Sequence, residues 1–153
     1  GSEGRPKVDV VAEMVWLLTG TAIKPFHGRV NGDSTLSGIV ILAVDSMETR
    51  AAIWKGVRYN ARVPLLLDGR IGGETPRLYS VTPAMPDAVA AYERTLYSSE
   101  NAAELPCAER AVIYVGFTIA ALIARAVAKW LTKATCEFET VAHLGQLTVM
   151  QTE

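Results

Sequence analysis

Asp45 closes an apolar run in "VILAVDSMETR" (residues 40–50), and an arginine, Arg50, stands five positions after it. A carboxylate directly after a buried strand is placed where open α/β sheets take up ligands, outside the carboxyl ends of the strands. Asp68 follows "VPLLL" in the same way, and two acids at one sheet edge suit a metal ion or a nucleotide. Plainer roles compete. Asp45 with Glu48 three residues later makes a serviceable helix start, and spacing alone favours that cap. Asp68 before Gly69 reads as ordinary turn chemistry.

The elements that must position these side chains follow from apolar periodicity. "GRPKVDVVAEMVWLLTG" sets Pro6 in a first helical turn, spaces Val8, Val11, Val15 and Leu18 along one face, and stops at Gly20. "AIKPFHGRV" reads as a short strand made irregular by Pro25. "IVILAV" (39–44) is continuously apolar and β-branched, which predicts a central strand covered on both faces. "SMETRAAIWKGVRYNA" predicts a helix turning Met47, Ala51, Trp54 and Val57 toward the sheet, and "VPLLLD" (63–68) a second buried strand, so the three form a right-handed βαβ unit. "GRIGGETPRLYSVTP" turns on Gly72 and Gly73 and gives one more strand over 77–81, for which an antiparallel direction is open. Residues 82–106 form a long connection with a short helix at "DAVAAYERTL", of the kind that often serves function. A helix over about 107–131 and a terminal hairpin from "CEFETVAHL" and "QLTVMQ" complete the chain.

Composition sets the class. The 153 residues are half apolar and carry a formal net charge of −1, with Lys and Arg scattered. That predicts one globular domain over residues 4–153 and gives no electrostatic footprint for nucleic acid. Gly1-Ser2 resembles an expression remnant, so residues 1–3 are set aside. Cys107 and Cys136 form no CxxC pair, which predicts neither structural zinc nor a disulfide framework and fits a reducing, cytoplasmic compartment. The apolar segment 111–131 is interrupted by Arg125 and Lys129, and is read as a buried core helix rather than a membrane span. His27 and His143 are isolated and read as surface or satisfied core residues, and the three Trp residues read as core. No G-x-G-x-x-G and no G-x-x-x-x-G-K-[ST] occurs.

Four segments in order, "EGRPKVDVVAEM", "VILAVDSMETRAAIW", "VPLLLDGRIGGETPRLYSV" and "PCAERAVIYVGFTIAALIARAVAKWL", resemble the ThiF/MoeB/HesA adenylyltransferase superfamily, the fold of ubiquitin-activating enzymes. The resemblance runs from Gly4 to about Leu131 and corresponds to the part after the family's glycine-rich nucleotide turn. It implies an α/β, Rossmann-like, mostly parallel sheet with helices on both faces, lacking the opening glycine-rich unit. It implies ATP-dependent adenylation of the C-terminal carboxylate of a ubiquitin-like or sulfur-carrier protein, with ATP and magnesium bound only once the N-terminal half is present.

The resemblance also assigns residues. Lys7 matches the family lysine that meets the ATP phosphates, where a cation answers the charge growing on the phosphoryl oxygens. Taken alone it is a solvated side chain in a helix's first turn. Asp45 matches the aspartate of an Asp, four residues, Arg pattern associated with magnesium, and Arg50 its supporting partner, packing the helix on the sheet through its stem. Arg70, Gly72 and Gly73 fall in the loop that guides the partner's Gly-Gly tail; the glycines let backbone approach backbone. Cys107 matches a cysteine that in some members forms a thioester or acyl-disulfide, although a free cysteine is commonly a small buried hydrophobe. The paired CxxC zinc motifs of many members are missing. The chain is therefore expected to be inactive alone and to form a homodimer or join an N-terminal half. The alternative is a noncatalytic module of the same fold that dimerises or holds a ubiquitin-like protein.

Overall fold

The computed structural model describes residues 4–97 and 113–152, and the chain divides into two compact units, Gly1–Val30 and Asn31–Glu153. The first unit is built on helix α1 (Lys7–Thr19), which Gly20 ends in the left-handed conformation (φ 67°), its N–H donating to the Trp16 carbonyl. A residue with a Cβ is strained at that angle, so the glycine terminates the helix as its position predicts. The expected apolar stripe is not buried: Val11 is 50% and Leu18 80% exposed. Val10, Met14, Trp16 and Leu17 place apolar surface around the rest of the cylinder, so α1 has no single greasy face. Residues 21–30 form no strand, against expectation. Pro25 removes a ladder donor there.

The second unit holds a five-stranded sheet in the order β1 (Ile39–Leu42), β2 (Leu65–Gly72), β3 (Thr75–Val81), β4 (Glu139–His143), β5 (Thr148–Thr152). Helix α2 (Met47–Val57) crosses from β1 to β2, which pair in parallel from Ile39↔Leu65 to Leu42↔Asp68. This is the expected βαβ unit. The remaining pairs are antiparallel, so the sheet is mixed and mostly antiparallel rather than mostly parallel. The turn chemistry explains it: β2 and β3 are joined across the two residues Gly73 and Glu74, far too few for a parallel crossover. Gly73 sits at φ 57°, where glycine costs least. The terminal hairpin β4–β5 forms as the sequence predicts.

β1 is at the edge of the sheet, not its centre, and Ile41 is 48% exposed. A continuous apolar run carries no information about neighbours in the plane, and the expected cover on both faces of β1 is incomplete, since Leu42 is buried while Ile41 is exposed. One face of the sheet receives α2 and α3 (Pro86–Glu93) over a core of Leu42, Trp54, Leu66, Tyr79, Val81 and Tyr92. The other receives α4 (Ile113–Leu131), whose Ile119 and Ala126 pack on Leu65, Leu67 and Leu78. A Cβ on Gly69 would come within 3.1 Å of Ile119, so that glycine lets the helix lie close on β2. Helices thus cover both faces, as expected. Trp54 is core, whereas Trp16 and Trp130 are 56% and 36% exposed.

Among the described residues α4 is one helix long and apolar enough to cross a membrane. It is not the fully buried helix the sequence suggests: Val115, Ile119 and Ala126 are covered, while Phe117 is 69% exposed. Near its C-terminal end, Arg125 and Lys129 bond to Glu137, at 3.2 and 2.7 Å, just before β4. Those two hydrogen bonds hold the Glu137 carboxyl down to about 2. A free glutamate titrates near ~4.3, so this contribution is complete above that pH and lost as the pH falls toward the folded value. Melting temperature followed from about pH 4.5 to about pH 2 should therefore fall less steeply in Glu137→Gln than in the parent. Parallel curves would show that the ion pairs do not tie α4 to the sheet.

Candidate functional site

Among the described residues the most buried charge is Asp68. It lies mid-strand in β2, fully enclosed, and not in a turn as the following glycine suggests. One carboxylate oxygen accepts from Arg50 Nε at 2.6 Å; the other accepts from Arg70 Nε at 2.7 Å and from the Tyr92 hydroxyl at 2.8 Å. Charge-assisted bonds of this length are what permit a carboxylate to be buried at all. Arg70 continues to the carbonyl and hydroxyl of Thr95, at 2.8 and 2.9 Å, and its guanidinium stacks 4.5 Å above the Tyr79 ring. Burial works against the Arg70 charge, and Asp68 outweighs it, leaving the guanidinium pKa above its ordinary value. Burial first, and then Asp68, push the Tyr92 phenol well above its ordinary value, so it stays a donor. Sequence reading misses this cluster. Its signal is Asp68 and Arg70 two apart in a strand, hence on one face.

Arg50 joins this cluster to Asp45. It is 3% exposed, and its Nη2 donates to the carbonyls of Val44 (2.9 Å) and Gly69 (3.3 Å), its Nη1 to that of Ser46 (3.4 Å). The carbonyls on either side of Asp45 are thus fastened to one guanidinium, which is itself anchored on β2. That gives the five-residue spacing a physical reason: one helical turn brings Arg50 back under the strand end it must hold. The sequence predicts support through the packed stem of Arg50; its contacts give it a structural role through the guanidinium head.

Asp45 itself does not cap α2. Ser46 does, its hydroxyl accepting from the Thr49 N–H at 3.1 Å. The capping pattern is displaced by one residue from Asp45 and Glu48 to Ser46 and Thr49. Asp45 lies in the bend after β1, exposed, and makes no hydrogen bond or ion pair with the described residues. Its carboxylate is open to solvent. Among the described residues no group of three His, Cys, Asp or Glu side chains is placed to hold a metal unaided.

Lys7 opens α1 in the first unit, exposed and likewise without a partner among the described residues. Arg70 and Gly72 are not in a loop; both belong to β2, and only Gly73 of the three sits in the turn. Cys107 lies outside the described residues. Cys136 is half-buried and donates weakly to the Ala126 carbonyl. His27 is exposed and 2.9 Å from Asp9; His143 lies in β4.

Arg70 and Gly72 also line an open cleft of about 590 Å³ at the end of β2, shared with Arg77 of β3, Glu139 of β4, and Arg94 and Tyr97 beyond α3. Arg77 is paired with Glu139 and donates to the Tyr79 hydroxyl at 3.3 Å; Arg94 has no partner among the described residues. The sheet therefore presents two chemically different places: a lone carboxylate after β1 and an arginine-rich cleft after β2. No protein-family model matches this chain, and no curated protein matches it either.

Proposed function

We propose that the chain supplies the C-terminal part of an adenylation site of the ThiF/MoeB/HesA type, which uses ATP to activate the C-terminal carboxylate of a ubiquitin-like or sulfur-carrier protein. The observation that carries this reading is Asp45: an exposed carboxylate after β1, without a partner among the described residues, its flanking carbonyls held by the buried Arg50. The resemblance of the four ordered segments, and of the Asp45 and Arg50 pair in particular, supplies the chemistry. On this reading the β1–α2–β2 unit is the parallel end of a Rossmann-like sheet whose glycine-rich turn comes from another segment or chain.

A single carboxylate suits magnesium held mainly by phosphates and water, since that ion commonly takes only one or two protein oxygens. Asp45 would hold it, and bound there it would supply positive charge against the phosphoryl oxygens. The protein's own work is then positional: Arg50 fixes the Asp45 backbone. The partner's carboxylate attacks the α-phosphorus, the bond to pyrophosphate breaks, and an acyl-adenylate results. Cys107 remains the candidate for any later thioester, and Arg70, Gly72 and Gly73 for guiding the tail.

A second reading has its own support. Phe117, Ile113 and Leu131 on α4 are 69%, 74% and 65% exposed, which suits a noncatalytic module that dimerises or holds a ubiquitin-like protein. ATP–pyrophosphate exchange separates the two. With the glycine-rich half and a ubiquitin-like protein added, the adenylation reading expects exchange that needs magnesium and the partner's C-terminal carboxylate. Partner binding without any exchange would establish the module instead.

A further inference from the structure

The buried pair of Arg50 and Asp68 is joined at one point, although guanidinium and carboxylate have the shapes for a two-pronged contact and frequently make one. Arg50 Nε donates to one Asp68 oxygen at 2.6 Å, whereas Nη2 donates to the carbonyls of Val44 and Gly69, at 2.9 and 3.3 Å. The second Asp68 oxygen is already taken. Arg70 Nε and the Tyr92 hydroxyl donate to it at 2.7 and 2.8 Å. From this division of the carboxylate we infer that Arg70 and Tyr92 are positioning residues for Asp45: by occupying the second Asp68 oxygen they keep the Arg50 Nη groups on the carbonyls that flank Asp45.

A donor count gives the reason. Arg50 Nη2 carries two N–H bonds, one for Val44 and one for Gly69, and Nη1 reaches the Ser46 carbonyl at 3.4 Å. A second bond to Asp68 has to be withdrawn from one of those carbonyls, and turning the guanidinium about Nε lengthens a Ser46 contact that is long already. The cluster therefore has two arrangements, one with Arg50 spread over the Asp45 bend and one with Arg50 closed on Asp68, and the donors on the second oxygen select the first. Arg70 is aimed from elsewhere. Its Nη1 and Nη2 donate to the carbonyl and hydroxyl of Thr95, just beyond α3, and its guanidinium lies on the Tyr79 ring. The bend at Asp45 is thus set from the end of α3, across β2. The inference stands on the geometry of the cluster; only its effect on the chemistry rests on the adenylation reading.

The test is the carbonyl-carbon NMR shifts of Val44 and Ser46 in the 153-residue chain. Arg70→Met keeps an unbranched stem and leaves Asp68 one cation, Arg50; both carbonyl signals should move upfield, the direction for a carbonyl that loses a donor. Tyr92→Phe removes one donor and no charge, and should move them the same way by less. Arg70→Lys returns a charged donor to the second oxygen and should restore most of the parent shifts. Val89→Ala opens a cavity in the same core and should leave them in place. Unmoved carbonyls in Arg70→Met and Tyr92→Phe would overturn the inference, and so would an equal movement in Val89→Ala, which would make the shift a sign of loosened packing. With the glycine-rich half, magnesium and a ubiquitin-like protein present, pyrophosphate exchange should fall about 10- to 100-fold in Arg70→Met, the scale for a group that orients a metal ligand from behind. Undiminished exchange with the carbonyls displaced would overturn the positioning role. Displaced carbonyls with no exchange even in the parent would refute the adenylation reading and leave this inference standing.

Discussion

Asp68→Ala should lose about 3–5 kcal/mol of folding stability, the scale for removing one partner of a buried ion pair. The substitution leaves the Arg50 and Arg70 Nε groups and the Tyr92 hydroxyl without their acceptor, in a place where the carboxylate was fully enclosed. Two cations and a phenol then stay buried with nothing to answer them, and that, more than the loss of attraction, sets the magnitude. A loss of that size is a large share of a domain's total stability. Asp68→Asn keeps one oxygen but not the charge, and should fall between. Urea unfolding checks both. If Asp68→Ala cost less than about 1 kcal/mol, the range of an ordinary exposed pair, water would have to reach these arginines and the cluster would not be the keystone between β1, β2 and α3.

How much of this can be read from the sequence depends on which physical constraint leaves a mark in it. The β1–α2–β2 unit is legible because burial of both faces writes a continuous apolar run and a helical period. Edge position writes nothing into that run, so β1 is misplaced as central. β2 is cut short at Asp68 because an Asp-Gly pair looks like a turn, whereas Gly69 serves the close approach of α4 and the strand continues to Gly72. The antiparallel half of the sheet follows from a turn two residues long, which is visible once Gly72 is placed in the strand. The cap is misread by one position because Asp45 and Glu48 imitate a capping pair as well as Ser46 and Thr49 do.

The candidate site was legible in the same partial way. The Asp45 and Arg50 spacing is in the sequence, but the reason for it is not, because the Val44 and Ser46 carbonyls and Asp68 meet Arg50 only in the folded unit. The cleft is harder still. Arg77, Arg94 and Glu139 come from a strand, a helix end and a distant hairpin, and no spacing rule connects them.

On the adenylation reading Asp45 is the chemical group and Ser46 the structural one, and a pair of single substitutions separates them. Asp45→Asn removes a charge that holds nothing in place, so its folding stability should stay within about 0.5 kcal/mol of the parent. Ser46→Ala removes the cap and should cost about 1 kcal/mol. Exchange should behave in the opposite order. With the glycine-rich half, magnesium and a ubiquitin-like protein present, Asp45→Asn should lower ATP–pyrophosphate exchange by about 10²-fold or more, the usual scale for a lost electrostatic contact at a reacting phosphate. Ser46→Ala should leave it near the parent rate. The decisive measurement is the exchange rate of Asp45→Asn relative to the parent at matched folded fraction: a fall of about 10²-fold supports a phosphate-site role for Asp45, and an unchanged rate contradicts it.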